Sequence, residues 1–412
     1  MNTELFLAKK LSFDKKDKTV RLMSRIAAIS IALSIATMII AISVLSGFKL
    51  ELKERISGFN SHMRISNLES NQSVESNPIL NNYDFYAEIK AIPEVKNVQE
   101  CAYKGGIIKT DSEMQGVMLK GVGADYDFSF FKQYLVDGTV FETSDTVASN
   151  YVIISESLAK LLNLETGDSF EIYFAQEPVR VRRFTVSGLY NTYYEEMDKI
   201  IVLCDIRHIR RLNRWSDEQV SGMEIMLHNL NDIDKAYQKV DDIVSYRTFD
   251  DGSMMRVSTL QNEFPNIFNW LAILDMNVLI ILIIMLVVAG FNMISSLLIM
   301  LLEKISMIGI LKSLGMLDSN IRKIFVYRSS IIVLRGLMYG NILGLSLCVI
   351  QQYFNVIKLD AENYFFTTVP ISANWLEIIT LNIASFLLIT LAQVIPTMVI
   401  TKISPDKTMR KE

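Results

Sequence analysis

Four long apolar runs divide this chain of 412 residues and limit what it can become. They cover Ile26–Leu45, Val278–Leu302, roughly 329–350, and Trp375–Ile400. At about 1.5 Å rise per residue, each is long enough to cross a hydrocarbon core of about 30 Å as a helix. Half of all residues are hydrophobic and the mean hydropathy is +0.27, values a soluble chain of this length seldom reaches. The pattern predicts an α-helical membrane protein with four transmembrane helices and a large α+β domain inserted between the first and second.

Charge gives the orientation. Lys9, Lys10, Lys15, Lys16, Lys18, Arg21 and Arg25 precede the first run, and Lys304, Lys312, Arg322, Lys323 and Arg328 lie between the second and third. The tail carries Lys402, Lys407, Arg410 and Lys411, whereas the loop between the third and fourth runs has only Lys358. Basic loops stay in the cytoplasm. The predicted order is therefore a cytoplasmic segment 1–25, span 26–47, an outside domain 48–268, span 269–302, and a cytoplasmic loop 303–328. Span 329–352, an outside loop 353–373, span 374–401 and a cytoplasmic tail 402–412 complete it. From Phe48 to Asp275 there are 23 basic against 35 acidic side chains, a net charge of −12, which argues against nucleic acid and anionic lipid as partners. The basic leader is long for a cleaved signal peptide, the first run is too long for its apolar region, and no small-x-small cleavage site follows it.

Nothing points to catalysis. The three histidines are scattered, with no spacing for a zinc site or a nucleophile triad. No phosphate-binding G-x-x-x-x-G-K-[ST] loop occurs, so no ATP, metal or other cofactor is expected on this chain. Cys101 and Cys204 read as unpaired core thiols, with pairing in an oxidising compartment the alternative.

The outside segment alternates short helical and strand patterns. Phe85, Ile89 and Ile92 form one helical face ended at Pro93; "GGIIKT" and "EMQGVMLKGVG" read as paired strands. Tyr151–Phe174 reads as strand, short helix with Leu158, Leu161 and Leu162 inward, turn at Thr166-Gly167-Asp168, and strand. In the loop 303–328, Met307, Ile310, Leu311 and Leu314 make one apolar stripe flanked by Lys304 and Lys312; Gly315 is placed to end that helix, and Asp318 or Ser319 to cap the next. Gly336, Gly340 and Gly344 recur every four residues in the third run, the spacing of a close helix contact. Arg335 beside them reads as snorkelling or functional. Ser43, Ser46, Phe48, Asn292 and Ser295 make the first two spans more polar than lipid requires, either as a substrate cavity or as helix contacts.

Four phrases carry a resemblance. "VLSGFKLELKERISGFNSHMRI" resembles the entry to the periplasmic domain of lipoprotein-releasing permeases, and "VIISESLAKLLNLETGDSF" is similar to a signature of that domain. "EKISMIGILKSLGM…IRKIFVYRS" resembles the cytoplasmic loop of FtsX-like permeases, and "ISPDKTMRKE" their closing tail. Together they cover essentially the whole chain and identify it as resembling the LolC/LolE-like permeases, in the superfamily that includes MacB and FtsX. The resemblance implies a multi-pass subunit of the bacterial inner membrane with a MacB-like periplasmic core. It further implies a coupling helix at 304–315 that receives a cytoplasmic ABC ATPase dimer, and a second permease subunit, either a copy or a paralogue. A lipoprotein would enter a cavity between first and second spans and pass to a periplasmic carrier. The alternatives are an FtsX-like regulator of a periplasmic hydrolase and the permease of a MacB-like efflux or peptide exporter. Between the strand ending at Phe174 and the one restarting near Arg182 there is only "AQEPVRV", where carrier-binding subunits of the family have a long hairpin, so no carrier-binding residues are assigned.

Overall fold

A computed structural model describes residues 18–69, 77–110, 113–143, 147–245, 252, 254–360, 366–398 and 400. It divides into a helical unit (Met1–Leu50, Trp270–Leu359 and Thr368–Glu412) and an α+β unit (Glu51–Asn269 with Asp360–Thr367). The ends of the basic leader and tail, including Lys402 to Lys411, lie outside the described residues.

The first helix, α1, runs from Lys18 to Asn60 without a break. It outlasts the predicted span because nothing after Leu45 stops it: there is no proline, and Leu52, Ile56 and Phe59 fall at helical spacing and are buried in the α+β unit. Among the described residues twelve strands follow: β1 (Met63–Asn67), β2 (Ile79–Leu80), β3 (Val95–Lys109), β4 (Met114–Val122), β5 (Leu135–Gly138), β6 (Tyr151–Ser155), β7 (Ser169–Phe174), β8 (Arg180–Tyr190), β9 (Ile201–Asp205), β10 (Gln219–Val220), β11 (Gly222–Leu227) and β12 (Met255–Thr259). Among them lie α2 (Phe85–Lys90), α3 (Glu156–Leu162), α4 (Ile206–Asn213) and α5 (Ile233–Val244). Then come α6 (Pro265–Glu303), α7 (Ile305–Ser313), α8 (Asp318–Phe354) and α9 (Trp375–Ala392).

Ten strands form one mixed sheet in the order β12-β1-β11-β3-β4-β9-β6-β8-β5, with β7 pairing β3 and β8. β4–β9 and β6–β8 are parallel. The two strands expected to pair do so, Ile107 opposite Gly116 in the β3–β4 hairpin, but β3 is far longer than "GGIIKT" because its first half pairs with β11. One sheet face buries Ile65, Val98, Leu119 and Ile225 under α2, α4 and α5, which present Phe85 and Ile89, Ile206 and Ile209, and Ala236 and Val240. In α3, Leu158 and Leu162 point inward as expected, but Leu161 is 40% exposed and Ala159 takes its place. Ser155 caps α3, its hydroxyl accepting the Leu158 N–H. Cys101 and Cys204 are buried free thiols.

Among the described residues, the helical unit has four helices long and apolar enough to cross a membrane. Pro265 opens α6, where a missing N–H costs nothing, and Asn374 caps α9 by accepting the Leu376 N–H. α8 starts at Asp318, eleven residues before the predicted span, since Ile321, Ile324 and Phe325 are already in its packed face.

Candidate functional site

Three places in the helical unit are candidates for a functional site. The first is the loop between α6 and α8. α7 ends as a Schellman turn: Gly315, at φ +84°, donates to the Lys312 carbonyl and Met316 to that of Leu311. The expected apolar stripe splits. Met307 and Leu311 pack with buried Ile308 against Leu297, Leu301, Ile321 and Phe325, whereas Ile310 (51% exposed) and Leu314 (78%) face outward. The split follows from the tight turn, which folds α7 back on α6 and α8 so that one edge of the stripe is used internally. Leu317 stands at the cap position of α8, so neither Asp318 nor Ser319 caps it; Asp318 instead pairs with Lys312 at 2.9 Å. Lys312 also donates to the Ile400 carbonyl. It is a structural tie as well as a surface charge. Lys304 precedes α7, half-buried.

The second is the glycine row. A Cβ on Gly336 would lie 2.7 Å from Ile31, one on Gly340 2.7 Å from Ile35 and 2.8 Å from the Ala32 carbonyl, and one on Gly344 3.1 Å from Ala36. The row is thus the seam of α8 against α1 of the same chain. Only hydrogen fits there, which allows the backbones to close up. Arg335, next in sequence to Gly336, is on the exposed side of α8. The sequence reading missed a second tie: Asn341 of α8 and Asn382 of α9 exchange amide hydrogen bonds at 2.6 and 2.9 Å. Two asparagines 41 residues apart carry no pairing signal until α8 and α9 are side by side.

The third is a cleft of about 470 Å³ lined by Ile42, Leu45, Leu279, Leu282, Leu381 and Ala384, with Ser46, Lys49, Asp275, Glu377 and Thr380 adding polar groups. Lys49 and Asp275 pair at 2.8 Å, and Ser46 Oγ donates to Glu377 at 3.0 Å. Phe48 stacks edge-on against Trp270, 5.6 Å between centroids. Of the predicted cavity residues, only Ser46 lines this cleft. Ser43 is buried, its carbonyl accepting the Ser372 N–H; Asn292 donates to Ser30; Ser295 is exposed elsewhere on α6. The cleft's other walls come from Asp275 and Glu377, which sequence reading did not connect because they lie 102 residues apart in the chain. Among the described residues no group of three His, Cys, Asp or Glu side chains is placed to hold a metal ion.

The chain matches the MacB-like periplasmic core domain over residues 24–243 and the FtsX-like permease C-terminal domain over residues 279–405. It belongs to the family with a MacB-like periplasmic core domain. Its relatives include the lipoprotein-releasing system transmembrane protein LolC of Xylella fastidiosa (strain Temecula1), 22% identical over 97% of this chain and 96% of that protein. The transmembrane protein LolE of the corresponding system in Haemophilus influenzae is 21% identical over 99% of both chains. Among solved structures, the periplasmic region of MacB from Actinobacillus actinomycetemcomitans is similar over 52% of this permease and 94% of that chain, with 15% identity and a TM-score of 0.34.

Proposed function

We propose that this permease is the non-catalytic membrane subunit of an ABC transporter that releases lipoproteins from the outer leaflet of the bacterial inner membrane to a periplasmic carrier. Hydrolysis falls to a cytoplasmic ATPase dimer, and a second permease subunit completes the complex. The observation that carries the reading is the alignment along nearly the whole chain, α+β unit and helical unit together, with proteins of the lipoprotein-releasing system. In this reading both termini and α7 are cytoplasmic, and the α+β unit, placed in the chain between the first and second spans, is periplasmic. The cleft of α1, α6 and α9 takes the acyl chains on its leucines and keeps the polar junction of the lipoprotein at Ser46, Lys49 and Glu377. This subunit forms or breaks no covalent bond.

The test is reconstitution of the permease with its ATPase in liposomes carrying a fluorescent lipoprotein, with soluble carrier outside. ATP-dependent appearance of lipoprotein on the carrier supports the reading. ATP-driven efflux of a soluble peptide or small molecule with no lipoprotein release would replace it by an exporter reading. Coupling at α7 has its own test. Leu314→Asp places a charge in the proposed ATPase contact and should cut co-purified ATPase by about tenfold or more, leaving the fold intact. Lys312→Ala should cut it little, since a partly exposed pair contributes about 0–1 kcal/mol. Equal ATPase recovery for wild type and Leu314→Asp would remove α7 from the coupling role. Leu311→Asp is a poorer probe, because Leu311 packs inside the loop.

A further inference from the structure

The second face of the sheet carries a line of polar side chains, buried except at the half-buried Arg64. Alternation along the strands turns Arg64, Gln99, Tyr103, Lys120 and Glu224 away from the apolar core, and the register sets Arg64 opposite Glu224, Glu224 opposite Gln99, and Tyr103 opposite Lys120. A sheet face of this composition ordinarily meets water. Here the side chains of Lys120 and Glu224 are 1% and 0% exposed and pair at 2.8 Å. Tyr103 donates to Glu224 at 2.7 Å and Gln99 at 3.1 Å. Burial by itself raises the Glu224 carboxyl, but the Lys120 ammonium and these donors outweigh it and hold it below the usual carboxylate range.

Stability does not require such a pair, since an apolar pair of similar volume commonly serves as well or better. Its placement is what stands out. Lys120 Nζ also donates to the Phe59 carbonyl at 2.6 Å, in the last turn of α1, where carbonyls have no helical partner. From Glu224 the line continues through Tyr103 to Arg64, whose guanidinium lies 5.5 Å from the Tyr103 ring, and on to Glu263 at 2.7 Å. Glu263 stands two residues before Pro265, the first residue of α6. The backbone runs parallel to this line: β1, which follows α1, pairs directly with β12, which leads into α6, and Leu260 donates to the His62 carbonyl.

We infer that Lys120, Glu224, Arg64 and Glu263 are positioning residues that fix the last turn of α1 and the root of α6 to one rigid sheet, so that a displacement of one helix is delivered to the other. A line of directional polar contacts, two ion pairs joined through the Tyr103 ring, resists the sliding that an apolar contact permits. The inference rests on the reading of this chain as an ATP-driven permease, and it assigns the coupling to named side chains.

The experiment uses the full permease with its ATPase in lipid nanodiscs. In K120M/E224L the line is replaced by apolar bulk, and the melting temperature should stay near that of wild type. Hydrogen exchange at residues 56–62 and 260–264 should be about tenfold faster, and lipoprotein released per ATP hydrolysed should fall about tenfold. Lys120→Arg, which keeps charge and donor, should retain release per ATP. A folded K120M/E224L with wild-type exchange and wild-type release per ATP overturns the inference. If that variant fails to fold, Glu263→Gln decides by the same two readouts: it leaves the buried pair intact, so unchanged exchange at 260–264 and unchanged release overturn the inference, and a loss of both upholds it. Wild-type permease that releases no lipoprotein would refute the proposed function instead. The exchange comparison needs no substrate and would still judge the polar line.

Discussion

α1 and α6 are nearly equal in length and both strongly apolar, yet they are packed in opposite ways. In the most apolar 18 residues of α1, 44% are buried; in those of α6, 6% are. Ile31, Ile35, Met38 and Ile39 of α1 are enclosed by other helices of the unit, while Ile280, Ile283, Ile284 and Val287 of α6 face outward. Apart from Leu271 near its start, the buried residues of α6 lie from Ala289 onward. Apolarity marks both as spans, because lipid and protein interior are equally apolar. It cannot say which span is the axle of the bundle and which presents a free face, since small residues and not hydrophobicity decide close helix contact in a membrane.

The comparison breaks most easily at the glycine seam. Gly340→Leu forces a side chain into Ile35 and the Ala32 carbonyl, and overpacking of this kind costs up to about 3 kcal/mol. The variant should insert but lose protease resistance and melt earlier; an unchanged melting temperature would mean that α1 is not held by α8. The next effect lies at the far end of α1. His62 lies two residues past the end of that helix, accepts the Leu227 N–H on Nδ1, and is pushed down to about 4 by burial, with Lys96 adding to the effect. A folded-state value below the ordinary 6.5 means that the contribution is present above pH 6.5 and lost as pH falls toward 4. Going from pH 7 to 5 should cost about 2 kcal/mol of wild-type stability through this group. Asp198, pushed up to about 6 by burial, works in the opposite direction, so the measurement is the difference between wild type and His62→Gln, in which the Asp198 contribution cancels. Equal pH slopes in chemical denaturation would show that His62 does not titrate in this way. The smallest effect belongs to α6. A Cβ on Gly290 would meet nothing within 4 Å, so Gly290→Ala should change stability by no more than about 0.5 kcal/mol. A larger loss in the same melting assay would reveal a neighbour on α6 that the single chain lacks.

Local patterns carried much of the molecule. The four long apolar helices were legible from apolar length. α2, the strand–helix–strand from Tyr151 to Phe174 and the left-handed stop at Gly315 were legible from periodicity and turn chemistry, which depend on residues a few positions apart. The glycine row was legible as a close contact, though not its partner. Other features were decided by tertiary structure. The division of the α7 stripe between Leu311 inside and Leu314 outside depends on how the loop folds back on α6 and α8. The Asn341–Asn382 pair, the cleft joining Lys49, Asp275 and Glu377, and the line from Phe59 to Glu263 unite residues from separate parts of the chain. The physical reason is the same in each case. A polar side chain has the same propensity whether it will meet water or a partner, and alternation along a strand tells which face it occupies but not what will cover that face. For Lys120 and Glu224 the cover is the last turn of α1, and only the folded chain puts it there.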